Sequence, residues 1–128
     1  MELSNLMTGE SHESGAEVNI LSPVDGKPTD FFVTIKGSDS KTWRTAKKKQ
    51  TSMINEHLRS GGKYEDLDYD GMDAEALADA TVSWRGITKD GKPYKFTRDN
   101  ALALYNESPA VVNQLLNFLT ERANFIKG

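Results

Sequence analysis

The stretch EVNILSPVDGKPTDFFVTIKG, running from Glu17 to Gly37, decides the fold class. Val18 and Ile20 alternate with polar residues, and so do Phe31, Val33 and Ile35. A period of two puts one set of side chains on one face of a strand, so the stretch reads as two strands. Between them, Asp25-Gly26 supplies the positive φ angles that a reversal needs. Pro23 and Pro28 flank the turn, and neither can donate a ladder hydrogen bond. The pairing is therefore expected to loosen toward the tip of a β-hairpin.

Downstream of Gly37 the period changes. Ser38 or Ser40 is placed to cap a helix. Trp43, Ala46, Gln50, Met53, Ile54, His57 and Leu58 follow at three- and four-residue steps, which makes one helical face ending at Gly61-Gly62. After an acidic loop, Asp73 reads as the N-cap of a helix carrying Ala74, Leu77, Thr81 and Trp84, stopped by Gly86. Residues 87–96 form a second short hairpin candidate. Thr97 caps a short helix with Ala101, Leu102 and Tyr105. Ser108-Pro109 then opens the last one, a capping side chain followed by proline at the first helical position. That helix is expected to run nearly to the end of the chain. The fold class is thus α+β, an N-terminal β-hairpin followed by about four helices.

Upstream of the hairpin, residues 1–15 are polar and carry Gly9 and Gly15, so they read as a flexible arm. Either this stretch is a frayed tail, or Leu3, Leu6 and Met7 form one helical turn against a partner. Residues 16–128 are expected to form a single α+β domain. The tetrapeptide DGKP occurs at Asp25–Pro28 and again at Asp90–Pro93. Nothing else repeats at that offset, so it is a turn used twice, not a duplication.

Composition narrows the chemistry. The chain has 128 residues, 37% hydrophobic and 27% charged, with a net charge of −3. It has no cysteine, and so no disulfide, thiolate nucleophile or zinc–cysteine site. No apolar run approaches the ~20 residues that span a bilayer. The opening MELSNLMTGESHESG lacks the basic region and apolar core of a signal peptide. A cytoplasmic protein without a membrane partner is expected. Only His12 and His57 are present, and neither has a partner at zinc spacing. Asp66, Asp68, Asp70 and Gly71 begin like a calcium loop, but Leu77 stands where a glutamate is needed. GESHE begins a nucleophile elbow and fails at its last position. GSDSKTW has a lysine without the two-glycine cradle of a phosphate loop. No catalytic, metal or cofactor residue is assigned, and a non-enzyme is expected.

Surface character remains. Lys36, Lys41, Arg44, Lys47, Lys48 and Lys49 make the first long helix basic, whereas Glu65, Asp66, Asp68, Asp70, Asp73, Glu75 and Asp79 make the next segment acidic. These are two solvated faces, or charge complementarity between subunits or with a partner. The lysine cluster lacks interleaved aromatics, and net negative charge gives no general pull toward nucleic acid, the least favoured partner. In the last helix Val112, Leu115, Leu116, Leu119, Ala123 and Ile126 form one stripe, which Val111, Phe118 and Phe125 widen beyond half the circumference. Either it is buried in the middle of the fold or part of it meets another chain.

The order of these segments resembles a known family. Its most specific pieces are Gly37-Ser38-Asp39-Ser40 with Arg44, Trp84 with Gly86, Phe96 with Asn100, and Arg122-Ala123-Asn124-Phe125. Over residues 16–126 the chain resembles the tail assembly chaperones encoded in the tail-gene clusters of long-tailed bacteriophages and prophages. The resemblance implies a non-enzymatic role in the host cytoplasm. Such chaperones bind the long helical tape-measure protein, recruit tail tube subunits and are absent from the finished virion. Many also exist in a frameshifted longer form. On this reading Val111, Leu115, Phe118 and Phe125 are the expected apolar contacts to the partner. Lys47, Lys48 and Lys49 against Asp66, Asp68 and Asp70 are the expected contacts within a homo-oligomer. Replacing Phe118 and Phe125 with serine is then expected to abolish partner binding and spare the fold. The rival readings are a structural tail or head–tail joining protein retained in the virion, and a small nucleic-acid-binding regulator using the lysine helix.

Overall fold

The computed structural model describes residues 1–126. Strands β1 (Ala16–Leu21) and β2 (Pro28–Ile35) pair antiparallel, with Val18 opposite Val33. The hairpin is closed by Ser22 and Gly26, whose amides donate to Lys27 O and Ser22 O, with Gly26 at φ 71°. Pro28 stands at the first position of β2 opposite Leu21, and the register slips between Asn19 and Leu21. The ladder loosens at the tip, as the prolines require.

A third strand, β3 (Thr81–Arg85), pairs antiparallel with the other side of β2, so the order is β1-β2-β3. Here the structure corrects the expected helix through Trp84. Helix α3 spans Tyr69–Ala80 and is capped by Asp68, which accepts from Gly71 N at 2.9 Å; Asp73 is not the cap. The helix stops at Thr81, and the chain turns directly into the sheet. Thr81 and Val82 are β-branched and lose side-chain freedom in a helix, while β2 pairs Ile35 with Thr81 and, past an irregularity at Val82, Thr34 with Ser83. Helical spacing alone did not reveal that competition.

Trp84 consequently sits at the centre of an aromatic cluster rather than on a helix stripe. Phe31, Tyr94, Phe96 and Tyr105 surround it at ring distances of 5.7, 5.9, 5.3 and 6.5 Å. Its indole N–H donates to Tyr94 O at 2.8 Å. Gly86 is required beside it: φ is +84°, and an added Cβ would lie 1.7 Å from Asp30 O. The second hairpin forms as expected from β4 (Thr88–Lys89) and β5 (Lys92–Pro93). Asp90 and Gly91 both take positive φ, 53° and 78°, the geometry of a two-residue turn.

The remaining helices cover one face of the sheet. Helix α1 spans Gly9–Ser14, α2 Lys41–Arg59, α4 Arg98–Glu107 and α5 Pro109–Thr120. Ser40, Thr97 and Ser108 cap the last three as the sequence indicates, accepting from Trp43 N, Asn100 N and Val111 N. Gln50 ties α2 to α3 by donating to Met72 O. Phe31, Val33 and Ile35 point from β2 into a core shared with Leu77, Ala101, Tyr105, Leu115 and Leu119. Helix α5 ends earlier than expected, because Glu121 leaves helical geometry and a 3₁₀ turn follows at Arg122–Asn124. At this helix end Glu121 N and Asn124 Nδ2 both donate to Phe118 O, and Ser38 N donates to Leu119 O, which satisfies carbonyls of the last turn. Among the described residues no helix is long and apolar enough to cross a membrane.

Candidate functional site

The expected apolar contact surface is largely interior. Val111, Leu115 and Phe125 are buried in the core, and Phe118 is half-buried against Phe125, with ring centroids 5.5 Å apart. The breadth of the apolar stripe on α5 reflects burial between β1, α3 and α4, not a free face. The correction has a plain physical cause. A short helix enclosed by several elements needs apolar groups round most of its circumference.

The charged candidates are exposed but not equivalent. Lys47, Lys48 and Lys49 lie on the outer side of α2, Lys47 over the ring of Trp43 at 5.5 Å. Asp68 is occupied as the cap of α3, and Asp66 accepts from Lys63 N and faces His57 at 3.5 Å. Asp70 is exposed. Among the described residues no ion pair joins the three lysines to these aspartates.

A different constellation is brought together around Asp39. Its carboxylate accepts a two-pronged pair from Arg122, Nε at 2.8 Å and Nη2 at 3.0 Å, and a further bond from Thr8 Oγ1. Its backbone N–H donates to Nδ1 of His12 at 3.0 Å. Nδ1 therefore carries no proton, and the neutral ring holds its proton on Nε2. Nε2 lies 3.6 Å from Asp39 Oδ2 and has no hydrogen-bond partner. The ring stacks on Phe125 at 4.6 Å and is wholly buried. On its other side is Gly37, where an added Cβ would fall 2.0 Å from the ring. Two backbone bonds complete the join: Gly37 N donates to His12 O and Ser38 N to Leu119 O, each at 2.9 Å.

Gly37-Ser38-Asp39-Ser40 and the Arg122–Phe125 segment, distant in sequence, thus form one clasp with α1. Where the sequence reading places a flexible arm, the structure has a helix whose His12 is enclosed. Next to it, Glu13 accepts from Lys36 Nζ and from the Thr42 hydroxyl and amide. Those contacts, Lys36 first, hold the Glu13 carboxyl down to about 2. The Arg122 guanidinium, then Thr8 and His12, hold Asp39 down to about 2. Burial lowers the His12 pKa and Arg122 reinforces this, against the opposing pull of Asp39. Thr8 donates to the Asp39 carboxylate, whose basicity the Arg122 pair reduces, and not to His12. The constellation fastens α1 to the Gly37–Ser40 turn and to Arg122.

What the clasp presents lies just before it. Leu3–Leu6 form a single 3₁₀ turn with no buried residue, and Leu3, Leu6 and Met7 are 71%, 62% and 68% exposed. The turn anticipated from their spacing is present in the isolated chain. Leu6 and Met7 border an open cleft of about 660 Å³ whose far side is Arg44 and Arg122, with Asp39 at its floor. Arg44 also borders a second shallow cleft, about 540 Å³, with Trp43, Lys47 and Lys48. Apolar turn and basic helix face are therefore continuous. Comparison with known protein families, curated proteins and solved structures finds no match. Among the described residues no group of three or more metal-ligating side chains converges.

Proposed function

We propose that this chain is a non-enzymatic tail assembly chaperone of a long-tailed bacteriophage or prophage, and that it holds the tape-measure protein through its N-terminal apolar turn. The observation that carries the proposal is the set Met1, Leu3, Leu6 and Met7, exposed and clustered within seven residues. Scattered exposed apolar residues are ordinary, but a clustered set marks a contact surface. The clasp holds Thr8, the residue that directly follows this segment, so the turn starts from an anchored point. A chaperone for a long helical partner needs such a surface, and α5 does not supply it.

In this reading the residues of the family resemblance keep structural roles: Trp84 and Phe96 in the aromatic cluster, Asp39, Arg122 and Phe125 in the clasp. The protein acts in the host cytoplasm, brings tail tube subunits to the tape-measure protein and leaves before the virion is complete. Co-expression with the longest helical protein encoded nearby tests it. The long protein is expected to become soluble and to copurify through ~0.5 M salt, where exposed charge pairs are screened. Leu3→Ser with Leu6→Ser and Met7→Ser is expected to abolish copurification. If the long protein stays insoluble beside the intact chain, the proposal fails. Mass spectrometry of purified particles separates the chaperone, expected absent, from a retained structural protein.

A further inference from the structure

We infer that the strip formed by the N-terminal turn and the outer face of α2 takes an apolar helix bordered by carboxylates. The inference rests on the chaperone reading above and names the chemistry of the partner segment. The cleft walls decide the mode of docking. Leu6 belongs to a 3₁₀ turn, Gly9 to α1, Arg44 to α2 and Arg122 to the last 3₁₀ turn, and no strand borders the cleft. No sheet edge is available for an extended peptide to join, so the fit is a helix laid into a groove. Leu3 and Leu6 lie three residues apart on the 3₁₀ turn, which aligns them, and Met7 follows at its C-cap, so all three stand exposed to meet the apolar stripe of such a helix.

Charge decides the rest. Among the described residues, Arg44, Lys47 and Lys48 pair with no carboxylate. Arg122 is already matched by Asp39. Only Glu10 on the cleft border opposes the three free cations. A helix flanked by glutamate or aspartate meets complementary potential along this strip, whereas one flanked by lysine is repelled. The Lys47 ammonium lies 5.5 Å from the centre of the Trp43 ring, so this cation stands over an aromatic face.

The test uses the full chain and two synthetic amphipathic helices with the same leucine stripe, one flanked by glutamates and one by lysines. Binding is read by calorimetry, and self-association by light scattering. The glutamate peptide is expected to bind at least about tenfold tighter, and its advantage to shrink as salt rises from ~0.05 to ~0.5 M. Arg44→Glu with Lys48→Glu is expected to reverse the preference. Both side chains are exposed, so the melting temperature of that variant should match the parent. Equal binding of the two peptides, or a preference untouched by the double variant, overturns the inference. So does self-association that the double variant removes, because the strip would then hold the acidic segment of a second copy. The two readings fail separately. If the parent solubilises the long helical partner and the double variant does so equally well, the inference falls and the chaperone reading stands. If the parent solubilises nothing, the chaperone reading falls and the peptide pair still judges the strip.

Discussion

At the scale of single residues, the clasp turns on His12, and its titration gives the molecule a defined acid response. The ordinary histidine pKa is 6.5, and burial lowers it in the fold. Below 6.5 the unfolded chain binds a proton that the folded chain refuses, so stability is full above 6.5 and lost as pH falls toward the folded value. Protonation would also set an Nδ1–H against the Asp39 N–H that now donates to it. Glu13 and Asp39 add a second loss, beginning near their ordinary values of 4.5 and 3.8 and extending toward about 2. Thermal melts across pH should show both stages in the parent. His12→Gln should be less stable throughout and lack the first stage. A parent melting temperature flat between pH 7 and the onset of carboxylate titration would refute this account of His12. Gly37→Ala strikes the same place from the backbone and should cost about 1–3 kcal/mol by urea denaturation. Phe125→Ala should cost ~3 kcal/mol or more, since its ring is part of the core. Replacing Phe118 and Phe125 with serine is therefore a test of folding. The two segments of the clasp were marked by the family resemblance, but their meeting around a buried His12 was not legible in sequence. His12, Asp39 and Arg122 are 27 and 83 positions apart, and a lone histidine in a polar stretch carries no signal of its burial.

At the scale of elements, local chemistry was readable wherever it was self-contained. Ser40, Thr97 and Ser108 were identifiable as caps because a capping side chain acts within three residues of itself. The Asp90-Gly91 turn was identifiable because only such residues accept its backbone. The α3–β3 junction was not, because its outcome is settled by β2, some fifty residues away in sequence. Ala74, Leu77, Thr81 and Trp84 satisfy helical spacing by coincidence. The start of α3 offers a clean test of the corrected boundary. Asp68→Ala removes the cap and should cost ~1 kcal/mol in urea denaturation, while Asp73→Ala should be nearly neutral. The opposite ranking would restore the later start and overturn the boundary described above.

At the scale of the whole molecule, fold class was legible because period two and period three-to-four separate cleanly along the chain. Which apolar residues face outward was only partly legible: the spacing of Leu3, Leu6 and Met7 singles them out, but breadth of apolar character marks both an exposed face and an enclosed helix. Helix α5 is enclosed, and the first seven residues are exposed. That division predicts how the N-terminus can be cut. Residues 1–7 are all exposed and contribute nothing to the core. Thr8 begins the contacts to Asp39, and His12 fills the space between Gly37 and Phe125. Removing residues 1–7 should leave the melting temperature within a degree or two of the parent and abolish capture of the long helical partner. Removing residues 1–14 should instead empty the His12 site, orphan Asp39 N and lower the melting temperature by about 10 °C or more, by the cavity and lost hydrogen bond together. If the shorter deletion still captures the partner, the apolar turn is not the contact. If the longer deletion melts like the parent, the clasp does not hold the two ends of the chain together, and the turn has no fixed base from which to act.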